Sequence, residues 1–422
     1  MRMKKTLALA AVTALLGATA ACGSDDTEAD GGPETADLVV WLNGADTPQE
    51  ARDWLKETFE EQNPGSTLTI QEQEWDGLVE RLTTALSSED QTPDIVEVGN
   101  TQAPTFTTAG AFSDLTGDLD DLGGDDLLGG FVDGATVDGK TFAVPYYAGS
   151  TYVFYRKDLF KKAGVDVPTT MDEFVDAAIT LKKADGAKDF SGYWLPGQDW
   201  RDGAAFLWDA GGDFAAPEGD GWAGTLSSDE SLAGLATVQK LFTEASGAPA
   251  DANEADPVTP FCAGKVAMMS RPGWVYGMLA DPDSGCPKLA DQIGVFALPG
   301  SDGQPAPVLL GGSDIAVPAK SPNQDLAREA LALMLSDEYQ GLMAAQGLTP
   351  ARESLASLLG DDEFAQATIA AASNAKLTPA AANWATVEGT RILEDLFSEI
   401  AQGGDVTTLA AEADERITDE LN

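Results

Sequence analysis

Histidine is absent from all 422 residues of this chain. That absence removes Ser-His-Asp and Cys-His catalysis, HExxH zinc sites and imidazole proton relays together. Chemistry by paired carboxylates survives it. Positive charge is scarce as well, 25 Lys and Arg against 70 Asp and Glu, for a net charge of −45. Such a surface repels nucleic acid and anionic lipid, which excludes a phosphate-backbone binder and leaves solubility as its plain meaning. The apolar run Leu7–Ala18 is too short to span a bilayer. What is present is ample apolar content, 43% of residues, in a chain longer than one average domain, so two lobes are expected.

The N-terminus reads as an address. Met1–Lys5 is cationic, Leu7–Ala18 is apolar, and small residues lead to Cys22. This is the layout of a secretory signal peptide, assigned to residues 1–21. Small residues before Cys22, with Gly23-Ser24 and acids after it, resemble a bacterial lipoprotein site that would leave Cys22 as a lipidated terminus. Thr19 stands where such sites usually carry Leu, and cleavage after Ala20 is the alternative. Residues 22–36, acidic and Gly-rich, read as a flexible tether. In an oxidising compartment, Cys262 and Cys286 then form an even pair pointing to a disulfide, with two buried thiols as the alternative.

From Leu38 the pattern is strand, helix, strand, helix, strand: Leu38–Leu42, a helix opened by Thr47-Pro48-Gln49-Glu50, Leu68–Ile70, a helix carrying Leu78, Leu82 and Leu86, and Pro93–Val98. That order predicts an open α/β sheet, whose ligands lie at the carboxyl ends of its strands. Asn43, Trp75 and Asn100-Thr101-Gln102 occupy those ends. Each Asn or Thr by itself reads more readily as a turn or cap residue. Their recurrence at successive strand ends carries the binding reading.

Asp114–Gly130, dense in Asp and Gly, puts Leu122 at the fifth position of a calcium loop and is expected to be a solvated loop, with no metal. Gly134–Thr141 matches G-x-x-x-x-G-K-[ST] as a string, but Pro145 blocks the helix a phosphate loop needs, so Asp138-Gly139 is expected to turn a hairpin. Val144–Asp158 follows, with Tyr146, Tyr147, Tyr152, Phe154 and Tyr155 on both faces of an extended run. It is expected to connect two lobes and line what lies between them, with Gly149 absorbing the rotation. Trp194 and Trp200, beside Gly, Pro and Asp, are candidate ligand platforms, whereas Trp208 on a helical stripe is expected in the core. A long helix is expected over 323–346, and three helices close the chain.

Taken in order, TPDIVEVGN (92–100), the 138–164 stretch, FLWDAGGDF (206–214), FCAGKVAMMSRPGW (261–274), the 311–331 stretch and NWATVEGTRILEDLF (383–397) resemble bacterial extracellular solute-binding proteins of the sugar-binding group. The resemblance spans Leu38 to Leu421. It implies a two-lobed α/β fold, each lobe a mostly parallel sheet flanked by helices, joined by three hinge crossings near 147–151, 293–297 and 348–352. Lobe 1 would comprise 37–148 and 297–348, and lobe 2 149–296 and 349–422. It places Tyr155, Trp274 and Trp384 as cleft aromatics, with Gly211 and Gly312-Ser313 in cleft loops. Asp209 and Arg352 join the candidates as charged groups near the site. The implied protein is a monomer without cofactor that binds a carbohydrate, contacts ABC-transporter permease subunits, and is anchored by lipid outside the cell membrane. A peptide, polyol or glycerol phosphate ligand is the first alternative, although only Arg201, Arg271 and Arg352 are at hand for a phosphate. A secreted glycoside hydrolase using Asp199, Asp202 or Asp209 is the second.

Overall fold

The computed structural model describes residues 35–253, 257–282 and 285–422. The expected signal peptide and Cys22 lie outside those residues. Ala36, expected in the tether, already belongs to the fold: its amide donates to Ser66 Oγ at 3.2 Å and its carbonyl accepts from Thr67 at 3.0 Å.

The continuous apolar run at the start becomes the strand Asp37–Asn43, parallel to Thr67–Gln73 on one side and Ile95–Gly99 on the other. Leu310–Ala316, Val144–Ser150 and Thr349–Pro350 extend this sheet antiparallel, giving six strands. Every residue of Ile95–Gly99 is buried, as expected of a strand covered on both faces. Ile95 faces a core built with helices Gln49–Gln62, Gln324–Met334 and Asp337–Ala344. Val96 and Val98 face a second core with helix Leu78–Ala85.

A second sheet has the order Ile293–Phe296, Tyr152–Arg156, Val266–Arg271, Ser191–Tyr193, and its last pair alone is parallel. Its core takes in helices Met171–Asp185, Trp200–Asp209, Asp229–Glu244, Ile392–Ala401 and Val406–Leu421. The expectation of mostly parallel sheets is therefore corrected to mixed ones. Strands that enter a sheet after the chain has visited the other return in the opposite direction.

Passage between the sheets also differs from the sequence boundaries. Val144–Ser150 and Tyr152–Arg156 break at Thr151, within the expected 147–151 crossing but two residues beyond Gly149. Leu298, Ala306, Val308 and Leu309 remain in the second core, so the chain returns at 309–310, beyond the expected 296–297. Leu348 and Ala351 stay in the first core while Ala367 and Ala371 join the second, which moves the last passage past 348–349. Side-chain burial sets these points, and the backbone pattern alone did not carry them.

Local chemistry explains other departures. Thr47 does not cap its helix, because its hydroxyl lies 2.8 Å from that of Tyr146. The long helix breaks at Ser336, whose Oγ accepts from the Tyr339 amide and starts a new helix. The acidic segment forms short turns, Leu119–Leu122, Gly124–Asp126 and Gly129–Gly134, that bury Leu122, Leu127 and Phe131. Four helices close the chain: Glu363–Ala372, Trp384–Gly389, Ile392–Ala401 and Val406–Leu421. Cys262 and Cys286 are joined in a disulfide, S–S 2.05 Å. Among the described residues no helix is long and apolar enough to cross a membrane.

Candidate functional site

The carboxyl ends of the parallel strands in both sheets face one cavity of about 460 Å³, within the range of small-ligand sites. Residues Thr35–Asn422 form one compact unit, so both walls belong to it. One wall carries Asp46, Trp75, Asn100, Thr101, Gln102, Tyr147 and Gly312. The other carries Asp199, Arg201, Asp202, Arg271, Trp274, Met278 and Glu388.

Trp75 follows Thr67–Gln73 and lies across the neighbouring strand ends. A Cβ on Gly44 would come within 3.3 Å of its ring, and one on Gly99 within 3.6 Å. Its indole N–H donates to Asp46 Oδ2 at 2.9 Å, leaving a large part of the ring exposed, 36% of the residue. Asn100 is fixed by donating from Nδ2 to the Leu310 carbonyl at 2.9 Å, and its amide donates to Gly312 O at 3.1 Å. Gln102 Oε1 is buried without a hydrogen-bond partner. Gly312 adopts φ +137°, and a Cβ there would meet the Tyr147 carbonyl at 2.3 Å, so a side chain at this point of the wall is excluded. Gly149, expected to be the hinge, instead makes room for Trp274, whose ring would lie 2.6 Å from an added Cβ. Trp274 packs into both lobes' cores.

Beneath the first wall lies Glu97, wholly buried. Burial pushes its carboxyl up to about 7, against donation from Ser313 Oγ at 2.6 Å and the Asn43 amide at 2.7 Å. The Tyr147 hydroxyl stands 3.1 Å from Asp46 Oδ2 and 3.2 Å from Glu97 Oε1. One phenolic proton cannot serve both acids, and a proton on Glu97 relieves the conflict. Burial also pushes Asp46 up, opposed by the Trp75 and Tyr147 hydrogen bonds.

On the second wall Arg271 is buried between Asp199, at 3.1 Å, and Asp202. Asp199 additionally caps helix Trp200–Asp209 by accepting from the Asp202 amide. Glu388 accepts from Trp384 Nε1 at 2.8 Å and, across the cavity, from Thr101 Oγ1 at 3.2 Å. Its carboxyl is pushed up by burial, with the Arg201 charge opposing. Arg201 Nη2 is 3.9 Å away, and its guanidinium lies over the Trp200 ring, 4.6 Å from the centroid.

Of the sequence candidates, Trp75, Asn100, Thr101, Gln102, Trp274 and Gly312 come together here. Asn43 and Ser313 sit one layer behind, holding Glu97. Trp384 is also behind the wall, 1% exposed. Tyr155 is elsewhere: strand alternation turns it onto Phe160 and Phe296, at 4.7 and 5.5 Å between ring centres. Trp200 is fully buried, edge-on to Phe214 at 5.5 Å, and Trp194 packs against the same core. Asp209 accepts from the Ser301 amide at 3.0 Å on another face. Gly211, φ +88°, turns the chain after that helix. Arg352 lies along Gly123 and pairs with Asp337. Asp46 and Glu388 were not among the candidates, and Arg201 and Arg271 entered only as cations at hand for a phosphate. Asp46 lay three residues beyond a strand end already singled out, whereas nothing in the sequence separates Glu388 from the other acids.

A family model described as bacterial extracellular solute-binding protein matches residues 43–341. The diacetylchitobiose binding protein DasA of Streptomyces coelicolor is 34% identical over 396 residues, 91% of each chain. The mannitol-binding protein of Pseudomonas aeruginosa is 27% identical over 360 residues, 82% of this chain and 78% of that one. Among solved structures, the GacH receptor of Streptomyces glaucescens matches with a TM-score of 0.78 at 23% identity, covering 92% of this chain and 99% of that one. That last likeness is one of fold.

Proposed function

The chain belongs to the bacterial extracellular solute-binding protein family, and from that premise we propose that it captures a short oligosaccharide between its lobes and delivers it to the permease of an ABC importer. The observation that carries this reading is the composition of the cavity. A sugar offers apolar C–H faces and a belt of hydroxyls. Trp75 and Trp274 supply flat apolar surfaces, and Asn100, Thr101 and Gln102 supply neutral hydrogen-bonding groups between them. Relatives named for diacetylchitobiose, mannitol and lactose all take polyhydroxylated ligands.

Contacts from both walls favour the closed state, so ligand shifts the population towards it. The rotation is absorbed at Thr151, at 309–310 and past 351. The protein is a monomer without catalysis of its own and without affinity for nucleic acid. Asp199 and Asp202 are engaged by one Arg271 and Asp209 faces elsewhere, which speaks against paired-carboxylate hydrolysis. Cys22 carries the lipid that holds the exported chain to the outer face of the membrane.

Thermal melts with a panel of diacetylchitobiose, lactose, maltose, mannitol and glycerol phosphate test the ligand class. A ligand at 100 times its Kd stabilises by about 2.7 kcal/mol. An oligosaccharide is expected to give the largest shift, and a response confined to phosphate would overturn the reading.

A further inference from the structure

We propose that the cavity favours a sugar bearing a protonated amine, with the carboxylates of Glu388 on one wall and Asp46 on the other as counter-charges. This rests on the carbohydrate reading above and narrows its ligand class.

The charged side chains lining the cavity are four carboxylates, Asp46, Asp199, Asp202 and Glu388, and two guanidiniums, Arg201 and Arg271. Arg271 is held between Asp199 and Asp202. Glu388 takes its hydrogen bonds from neutral donors, Trp384 and Thr101, and its nearest guanidinium stands off at 3.9 Å. Asp46 likewise accepts from Trp75 and Tyr147. The cation nearby, Arg52, turns to Glu72 at 2.8 Å and to the Thr47 and Gly44 carbonyls. Each wall therefore presents a carboxylate that is removed from water and not neutralised at hydrogen-bond distance. Buried charge is costly unless it is paired, and an ammonium on the ligand completes the pair. The upward shift that burial gives both carboxyls is opposed when a cation arrives, because an adjacent positive charge favours the ionised form.

Trp75 strengthens the case, because its indole N–H is bonded to Asp46 while the residue lines the cavity and is 36% exposed. A ring and an acid side by side hold a sugar's apolar face and a neighbouring ammonium at once, the second by cation–π attraction as well as by charge. An acetamide at that carbon keeps one N–H but no charge. A hydroxyl offers neither charge nor a second donor.

The test is calorimetric titration of the full chain, at mildly acidic pH and low salt, with the β-linked disaccharides of glucosamine, N-acetylglucosamine and glucose. The glucosamine dimer is expected to bind about tenfold tighter than its acetylated counterpart, a difference of about 1.4 kcal/mol, and to keep most of that lead in high salt, because a pair removed from water is screened little. Glu388→Gln keeps the side-chain shape and one carbonyl oxygen to accept from Trp384 Nε1, while its amide faces Thr101 Oγ1, which can accept from it. It should cut affinity for the glucosamine dimer far more than for the acetylated dimer, as should Asp46→Asn if Glu388→Gln fails to fold. A glucosamine dimer that binds no tighter than the acetylated one, or whose lead survives in both variants, overturns the inference while leaving the carbohydrate reading standing. Absence of heat with all three sugars overturns both.

Discussion

Glu97 sits wholly buried under the first wall, with Ser313, Asn43 and Tyr147 around it. Its carboxyl is pushed by burial from 4.5 to about 7. As pH rises, the unfolded chain releases this proton near 4.5 while the folded chain keeps it until about 7. Between those values the folded state binds more protons, so stability is lost with rising pH. At roughly 1.4 kcal/mol per unit the loss is about 3 kcal/mol. Asp46, Asp314 and Glu388 are raised by burial and act with the same sign. Asp126, Glu173 and Asp405, each held below the usual carboxylate range chiefly by neighbouring hydrogen bonds, lose their contribution only under stronger acid. The chain is therefore expected to be most stable in the mildly acidic range. Glu97→Gln should flatten the melt-against-pH profile between about pH 5 and pH 8, gaining on the parent by about 2–3 kcal/mol across that window. Parallel profiles for the two proteins would exclude Glu97 as the source.

At the scale of elements, helix Trp384–Gly389 shows how a core position governs a cavity group. Trp384 plugs the second core, 6.0 Å from Phe214 between ring centres, and one turn later Glu388 receives its indole N–H. Trp384→Ala should cost about 3–5 kcal/mol in stability by opening a cavity. Trp384→Phe keeps most of the packing but frees Glu388, so melting should hold better while ligand affinity falls. If both variants melt like the parent, Trp384 is not a core plug. The family resemblance had placed this residue among the cleft aromatics, and the reason is instructive. Continuous apolar strands and the Asp138-Gly139 hairpin, with φ +52° and +75°, are local signals and were legible. Which of several aromatics faces the cleft is decided by packing between distant segments. Tyr147 and Tyr155 lie in one stretch, yet Tyr147 lines the cavity while Tyr155 packs over Gly294. Gly149 looked like a pivot because glycine permits rotation, but its missing Cβ serves Trp274, more than a hundred residues away in sequence.

Across the whole molecule the two lobes are stitched together without ligand. Thr101 Oγ1 donates to Glu388 at 3.2 Å, and Thr105 Oγ1 donates to the Ala382 carbonyl at 3.1 Å. Each such bond contributes about 0.5–1.5 kcal/mol net, enough to bias a two-state equilibrium several-fold but not to lock it. Thr105 is the cleaner probe, since Thr101 lines the cavity and Thr105 is not among its lining residues. Thr105→Val keeps the shape and removes the donor, leaving Ala382 O to water. Losing about 1 kcal/mol of closed-state preference raises the open-to-closed ratio about fivefold. Ligand that is held by both walls then binds more weakly, because a smaller fraction of the protein is competent. The unliganded variant should show a larger radius of gyration by small-angle scattering. Saturating sugar should return it to the parent's value, and affinity should fall by no more than about fivefold. An unchanged radius together with unchanged affinity would mean that this bond does not report on closure, and that the balance between lobes rests on Trp274 and the segments that cross.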